Sequence, residues 1–522
     1  MFRWGSTMTM SKSRALSTLL VPRPREERSN HSLVDVKLDF GQRAAIARPM
    51  DQAVLVLGEA GHGKTTVALR RLEFVWSALK KRPGRPPRAA VVVPTEGLSR
   101  LLQPLLRRLG IDVEARTYDA WARRQARRAF SELPRRETEL TPPAVQRVKR
   151  SPALRSAIAL LAARAPGRID DDADACVSPS TGLISRGDLQ HLFGDRRLLE
   201  MVAGESQDIR SIDVEEVLEH NRVTFELSAE DEYSHVLDRR RLRAVDGRLL
   251  DEGTSHAHAG CIDIEDYAIL FELDRLRAAR LGRPATEPRK YDVLLLDEAQ
   301  EFAPIELALL GRSLAPGGTL IVAGDADQHM DPLTTFPGWN AAMSELGCAK
   351  HSAVVLDVGY RCPPPVRALA RAVLDGKGTV SAPAVPSRGH ASVVGFENDA
   401  DLNERIGIEL CELRRKDPRA SVGVLCNSPR VAGRVAQSLK SHVPARLVYD
   451  GSFRTHHSIE VTLVAEVKGL EFDYVVIPDA SDVAYPDSPA ARRAMYVAVT
   501  RARFQVLIAH SGKRSPIVPM LR

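Results

Sequence analysis

The chain predicts an α/β protein with two parallel sheets in tandem, the first interrupted by a long helical insertion. Three observations predict it. Short apolar runs bounded by Gly, Pro and Asp recur along the 522 residues with amphipathic helical stretches between them. Those runs fall into two successive sets. Between about Arg123 and Lys290 the first set is broken by long helical patterns and charge blocks, with no comparable succession of buried strands.

The first set comprises Ala53 to Leu57, Ala89 to Val93, Asp112 to Arg116, Val293 to Leu296 and Thr319 to Ala323. The second comprises Ala391 to Phe396, Ser421 to Cys426, Ala445 to Tyr449, Ile459 to Ala465, Tyr474 to Ile477 and Gln505 to Ala509. The first 30 residues are basic and free of acid until Glu26, without the apolar core of a signal peptide. Residues 1–35 are therefore expected to be a loose, disordered basic tail or the product of a misassigned start, since Met8 and Met10 follow.

Composition narrows the class. With 44% apolar and 27% charged residues and no apolar span of 18, a membrane protein is not expected. The six cysteines form no C-x-x-C pair, which argues against a zinc ribbon or a disulfide framework and for a cytoplasmic location. His256, His258 and Cys261 lie in a loop-like stretch with no evident fourth ligand, so zinc is not expected there. Lys and Arg exceed Asp and Glu by 74 to 67, an excess that suits an anionic partner. Between Trp121 and Arg155 ten Lys/Arg face three Glu, either a backbone-contacting surface or a solvated helical face. Glu205 to Glu232 is acidic, so the insertion is no uniform nucleic-acid surface.

The strongest chemical signal is Gly58-Glu59-Ala60-Gly61-His62-Gly63-Lys64-Thr65, which fits the G-x-x-x-x-G-K-[ST] phosphate-binding pattern between a strand and a helix beginning near Thr66. Backbone N–H groups and a helix N-terminus would point at the phosphates. Lys64 would reach the outer phosphates, and the Thr65 hydroxyl would complete a magnesium shell. A second signal is Val293 to Leu296 ending in Asp297-Glu298, at the edge where parallel sheets place their ligands. Asp297 suits the magnesium, and Glu298 suits orienting or deprotonating the attacking water.

Taken in order, these and further motifs resemble the superfamily 1 helicases of the UvrD/Rep type. Gln42 sits like that family's adenine-reading glutamine; Pro94-Thr95 and Thr117 to Trp121 look like its nucleic-acid-contacting motifs. Asp297 to Gln300 resembles motif II and Gly324 to Gln328 motif III, whose glutamine is Gln328. Tyr360-Arg361 resembles the pair that stacks on adenine and touches the γ-phosphate. Lys468 to Asp473 resembles motif V, with Gly469 and with Glu471 at the ribose; Tyr496 to Ala502 resembles motif VI, with Arg501 as the finger.

The resemblance implies two tandem RecA-like P-loop NTPase domains: 36–122 with 289–347, and 348–522, with 123–288 as a mainly helical, 1B-like insertion. It implies hydrolysis of ATP with Mg2+ between them, and 3′ to 5′ movement on single-stranded DNA or a partial duplex in DNA repair or related DNA metabolism. The nearest branch is HelD-like, judged from Gly61 to Leu69, Gly469 to Ala480 and Ser515-Pro516, although the long N-terminal arm of that branch is lacking. Its alternative is an ATP-switched protein acting on RNA polymerase or a defence-system partner through the insertion.

The departures from the family are specific. Gln328 is followed by His329-Met330-Asp331-Pro332 rather than a stacking aromatic, leaving Phe336 or Trp339 for that role or for the core. Val464 to Val467 replaces the threonine-histidine start of motif V and puts Glu466 where an anionic backbone would pass. Between Arg361 and Lys468 no room is left for a full 2B insertion, so poor unwinding of long duplexes is expected.

Overall fold

The computed structural model describes residues 8–9, 18–24, 38–130, 133–138, 140–164, 184–226, 235–236, 238, 259–359, 362–380, 389–454 and 457–521. Its strands are β1 (Met8–Thr9), β2 (Val54–Gly58), β3 (Ala89–Val93), β4 (Ala115–Thr117), β5 (Tyr291–Leu296), β6 (Leu314–Gly324), β7 (Ser352–Leu356), β8 (Thr379–Val380), β9 (His390–Phe396), β10 (Val422–Cys426), β11 (Ala445–Leu447), β12 (Ile459–Leu463), β13 (Phe472–Ile477), β14 (Ala502–Ser511) and β15 (Met520–Leu521). Two parallel sheets carry the fold, in the orders β4-β3-β5-β6-β2-β7 and β1-β9-β14-β13-β10-β12-β11, while β15 pairs β8 apart from them. The fold is the mixed α/β arrangement of parallel sheets that the sequence predicts.

The apolar runs of the central strands become strands because they are buried on both faces. One face of the first sheet packs under α1 (Phe40–Ile46), α2 (Lys64–Lys80) and α3 (Glu96–Arg108), through Val54, Val91, Leu295, Leu69 and Leu102. The opposite face, with Leu55, Val92 and Leu294, packs on α4 (Tyr118–Ala129), α5 (Pro143–Arg150), α6 (Leu154–Ala163), α7 (Arg186–Gly194), α8 (Arg196–Glu205), α9 (Ser211–Phe225) and α10 (Asp266–Leu281). The insertion thus shares one continuous core with the sheet that it interrupts. Then come α11 (Pro304–Arg312) and α12 (Trp339–Glu345). The second sheet is covered by α13 (Pro364–Leu374) and α16 (Pro489–Thr500) on one face and by α14 (Asp399–Lys416) and α15 (Pro429–Leu439) on the other.

Three expectations change. The first sheet does not stop at residue 347: β7 pairs with β2 from Ser352↔Val54 to Leu356↔Gly58. As an edge strand it alternates between covered and exposed residues, so it lacks the buried apolar run that marks its neighbours. The expected strand at Asp112 to Arg116 is displaced to Ala115–Thr117.

The segment 18–24, expected within a disordered tail, is docked on the second sheet. Leu19 and Leu20 enter its core, and both their N–H groups donate to Glu409 Oε2, at 2.9 and 3.0 Å. Gln505 donates to Leu19 O at 2.7 Å and accepts from Val21 N at 2.9 Å. Arg23 pairs with Asp417 at 2.8 Å and Asp473 at 2.5 Å. Two leucines supply apolar area and one guanidinium pairs with two carboxylates about 400 residues away, a match that local composition cannot display.

Candidate nucleotide-binding cleft

All strands of a parallel sheet run one way, so their C-terminal ends form one edge, and there the predicted motifs converge. After β2 the phosphate loop turns through Gly61 and Gly63, with φ of 81° and 85°, a conformation glycine adopts without strain. Gly63 is also the N-cap of α2 and has no side chain to cover the helix N–H groups, which leaves them open to an anion. Thr66 lies buried in the first turn of α2, and Ala60 and Gly61 border the adjoining cavity.

Lys64 is buried and folds back on the loop, its Nζ donating to Gly58 O at 2.6 Å and Glu59 O at 3.0 Å, 3.5 Å from Asp325. Thr65 Oγ1 donates to Asp297 Oδ2 at 2.8 Å, joining the start of α2 to the end of β5. Burial and the neighbouring Glu298 raise the Asp297 carboxyl well above the usual carboxylate range, while Thr65 and Lys64 oppose the shift. Glu298 has φ 53° and ψ 43°, a left-handed conformation that costs a non-glycine residue on the order of 1 kcal/mol or more. Its Oε2 accepts from Gln300 Nε2 at 2.7 Å, and Gln300 Oε1 accepts from Asp325 N at 3.0 Å.

The second sheet closes the cleft. Arg501 is buried and donates to Val497 O at 3.2 Å and, across the cleft, to the Oε1 of Gln328. Gln328 in turn donates to Asp325 at 2.7 Å. Gly469, Glu471 and Thr500 complete the wall of a space of about 380 Å³ that also touches Lys64, Thr65 and Glu298. Gly469 has φ 72°, and a Cβ there would lie 2.8 Å from Leu98, so glycine permits this loop to approach α3. Gln42 is buried at the loop, its amide donating to His62 O at 3.2 Å and closing a capping box with Asp39. His62 Nδ1 lies 2.5 Å from Leu356 O. Tyr360 and Arg361 fall outside the described residues.

A divalent cation fits the donor set. Thr65 and Asp297 offer hard oxygens at the mouth of the loop, and the burial and the Glu298 charge that disfavour ionisation of Asp297 are what a cation would offset. Among the described residues no cluster of three His, Cys, Asp or Glu forms a metal site. Cys261 is buried in the insertion, while His256 and His258 lie outside the described residues. Two residues went unassigned in the sequence: Asp325, beside Lys64 and Gln328, and Gln300, which holds Glu298. Both stood inside recognised motifs, which was the signal available.

The proposed strand-contacting residues fare unevenly. Thr95 and Thr117 are half-buried N-caps whose hydroxyls accept from Leu98 N at 3.3 Å and Ala120 N at 3.2 Å, both at the functional edge. Trp121 is 2% exposed and belongs to the core beneath the first sheet, so it presents no face to a base; an aromatic four residues past the cap points inward on α4. Trp339 is half-buried, packed edge-on against Phe336 at 4.8 Å and lying over Gly324, where a Cβ would collide with its ring. Five of the ten cations of the basic stretch are paired with carboxylates. Arg123 pairs with Glu137, Arg147 with Asp213, Lys149 with Asp263 and Asp266, Arg150 with Glu306 and Asp331, and Arg155 with Glu345.

Two family models match the chain. The UvrD-like helicase C-terminal domain matches residues 459–509. A solved structure, the C-terminal domain of a possible DNA helicase from Lactobacillus plantarum, is 17% identical over 31% of this chain and 92% of its own, with a TM-score of 0.25. No curated protein matches the chain. No described helix is long and apolar enough to cross a membrane. The AAA domain matches residues 42–332, more than half of the 522: the chain belongs to that domain family and, with its UvrD-like C-terminal part, to the UvrD/Rep-type superfamily 1 helicases.

Proposed function

We propose that the chain hydrolyses ATP with Mg2+ in the cleft between its sheets and uses the cycle to move along single-stranded DNA, 3′ to 5′. The observation that carries this is the convergence of Lys64, Thr65, Asp297, Glu298 and Gln328 with Arg501 from the other sheet around one polar space. On binding, Lys64 exchanges its two loop carbonyls for the outer phosphates. Thr65 and Asp297 would hold the magnesium, whose charge would supply stabilisation of the phosphate oxygens. Glu298, held by Gln300, orients the attacking water and takes its proton. Gln328 and Arg501 then stabilise the equatorial oxygens, and loss of the γ-phosphate removes the reason to stay closed. A strand lying across Thr95 and Thr117 would be gripped alternately as the cleft opens and shuts.

A second reading, a partner-switching ATPase, is favoured by one observation. Arg147, Lys149, Arg150 and Arg155 of the insertion are paired with carboxylates rather than left for phosphates, which suits a protein partner better than a nucleic-acid backbone. ATPase assays with and without single-stranded DNA, over a salt series, decide between them. The translocase reading expects strong stimulation and a steep loss of binding with salt, about −0.7 in log-log slope per neutralised phosphate. Unstimulated turnover with salt-independent binding would overturn it.

A further inference from the structure

In the phosphate-binding pattern the four residues between the first glycine and the last are not fixed by phosphate chemistry, and here two of them reach away from the nucleotide. Glu59 accepts a hydrogen bond from Arg371 Nη2 on α13, the first helix of the second sheet. The same guanidinium lies 3.5 Å from Asp327, on the short turn that carries Gln328. His62, the other loop residue, packs so closely on the crossing between the sheets that a Cβ at Gly359 would lie 2.9 Å from its Nε2 and 2.5 Å from Arg367 of α13. One cation from the second sheet therefore joins the phosphate loop and the Gln328 turn, apart from the Arg501 contact.

We propose that Arg371 is a positioning residue whose ion pair with Glu59, supported by Asp327, sets the cleft in its closed arrangement before nucleotide arrives. This rests on the ATPase reading for its kinetic consequence but not for its structural one. A protein already closed binds nucleotide without doing the work of closure, because apparent affinity scales with the fraction of molecules competent to bind. Arg371 makes no contact with the cavity, and Arg501 and Gln328 remain in place without it, so the pair acts on affinity more than on the chemical step. The pair is about one-third exposed on each side, so its effect is modest and sensitive to salt.

The test combines kinetics with exchange. Arg371→Gln is expected to raise KM for ATP roughly two- to five-fold, with kcat falling less than KM rises. Glu59→Gln should raise KM similarly, the double variant should add little to either single one, and Arg371→Lys should recover part of the loss. Raising salt should carry the wild type towards the variant. Hydrogen exchange of residues 364–374, measured without nucleotide, should be faster in Arg371→Gln than in wild type, and that difference should vanish at high salt. Unchanged KM, additive single effects, or equal exchange in both proteins would overturn the proposal. A wild type that fails to hydrolyse ATP would overturn the nucleotide reading instead, and the exchange comparison would still decide whether the latch exists.

Discussion

Each sheet holds a buried ionic cluster, and the two differ in how completely their charges are answered. On the second sheet Arg23 meets Asp417 and Asp473 at hydrogen-bond distance, and Tyr474 accepts from its backbone N–H at 2.8 Å. At the functional edge of the first sheet three carboxylates, Asp297, Glu298 and Asp325, surround one lysine whose nearest carboxylate is 3.5 Å away. That cluster borders open polar space and includes a glutamate in a left-handed conformation. Charge burial alone does not mark a site. Under-compensation, strain and room for a ligand together do, because folding by itself would select against all three.

The largest effects that break the comparison lie on the first cluster. Lys64→Ala should abolish nucleotide binding and turnover. Glu298→Gln should keep Mg-ATP binding and lose hydrolysis, and Arg501→Ala should slow hydrolysis on the order of 10³-fold with a smaller effect on binding. Nucleotide-binding titrations beside steady-state ATPase assays check all three. Glu298→Gln should not lower stability, and near-normal turnover in it or in Lys64→Ala would sink the site.

Arg23→Ala tests the other cluster and should do the reverse. Removing Arg23 takes the buried Asp417 and Asp473 out of reach of their cation, while Asp473 keeps Ser421 N–H and Oγ as donors, at a cost of about 3–5 kcal/mol in denaturant unfolding. Turnover per folded molecule should stay close to that of wild type. A variant as stable as wild type would mean that the strap adds nothing to the second sheet.

The smallest effect sharpens the distinction at the strand-contacting edge. Thr117→Ala loses the α4 cap at a cost of about 1 kcal/mol and should also weaken single-stranded DNA binding. Trp121→Ala should cost about 3–5 kcal/mol as a core truncation while leaving the salt slope of DNA binding unchanged. A change in slope for Trp121→Ala would restore it as a contact.

That the Gly58 to Thr65 loop, the Asp297-Glu298 pair and the Gln328 and Arg501 motifs lie together was legible because each pattern is local. A loop that cradles phosphate needs its glycines at fixed spacing, and a carboxylate pair at a strand end needs only that strand. The strand β7 was not legible: its alternate exposure belongs to an edge, and no local pattern says which strand it will join. The fate of Trp121 was equally hidden. Its motif places it near the functional edge, but the helical rotation from Thr117 turns its ring under the sheet.

Sequence by itself determined the two parallel sheets, the helical break in the first and the motifs that meet at one sheet edge, because burial periodicity and short motifs are properties of contiguous chain. Tertiary structure alone decided which charges are spent inside the fold and which face open space. Arg150 is consumed by Glu306 and Asp331, Arg23 by carboxylates at the far end of the chain, and Arg371 by the phosphate loop, whereas Lys64 and Arg501 border the cleft. The reason is physical: an ion pair depends on distance in space, and neither composition nor spacing along the chain records it.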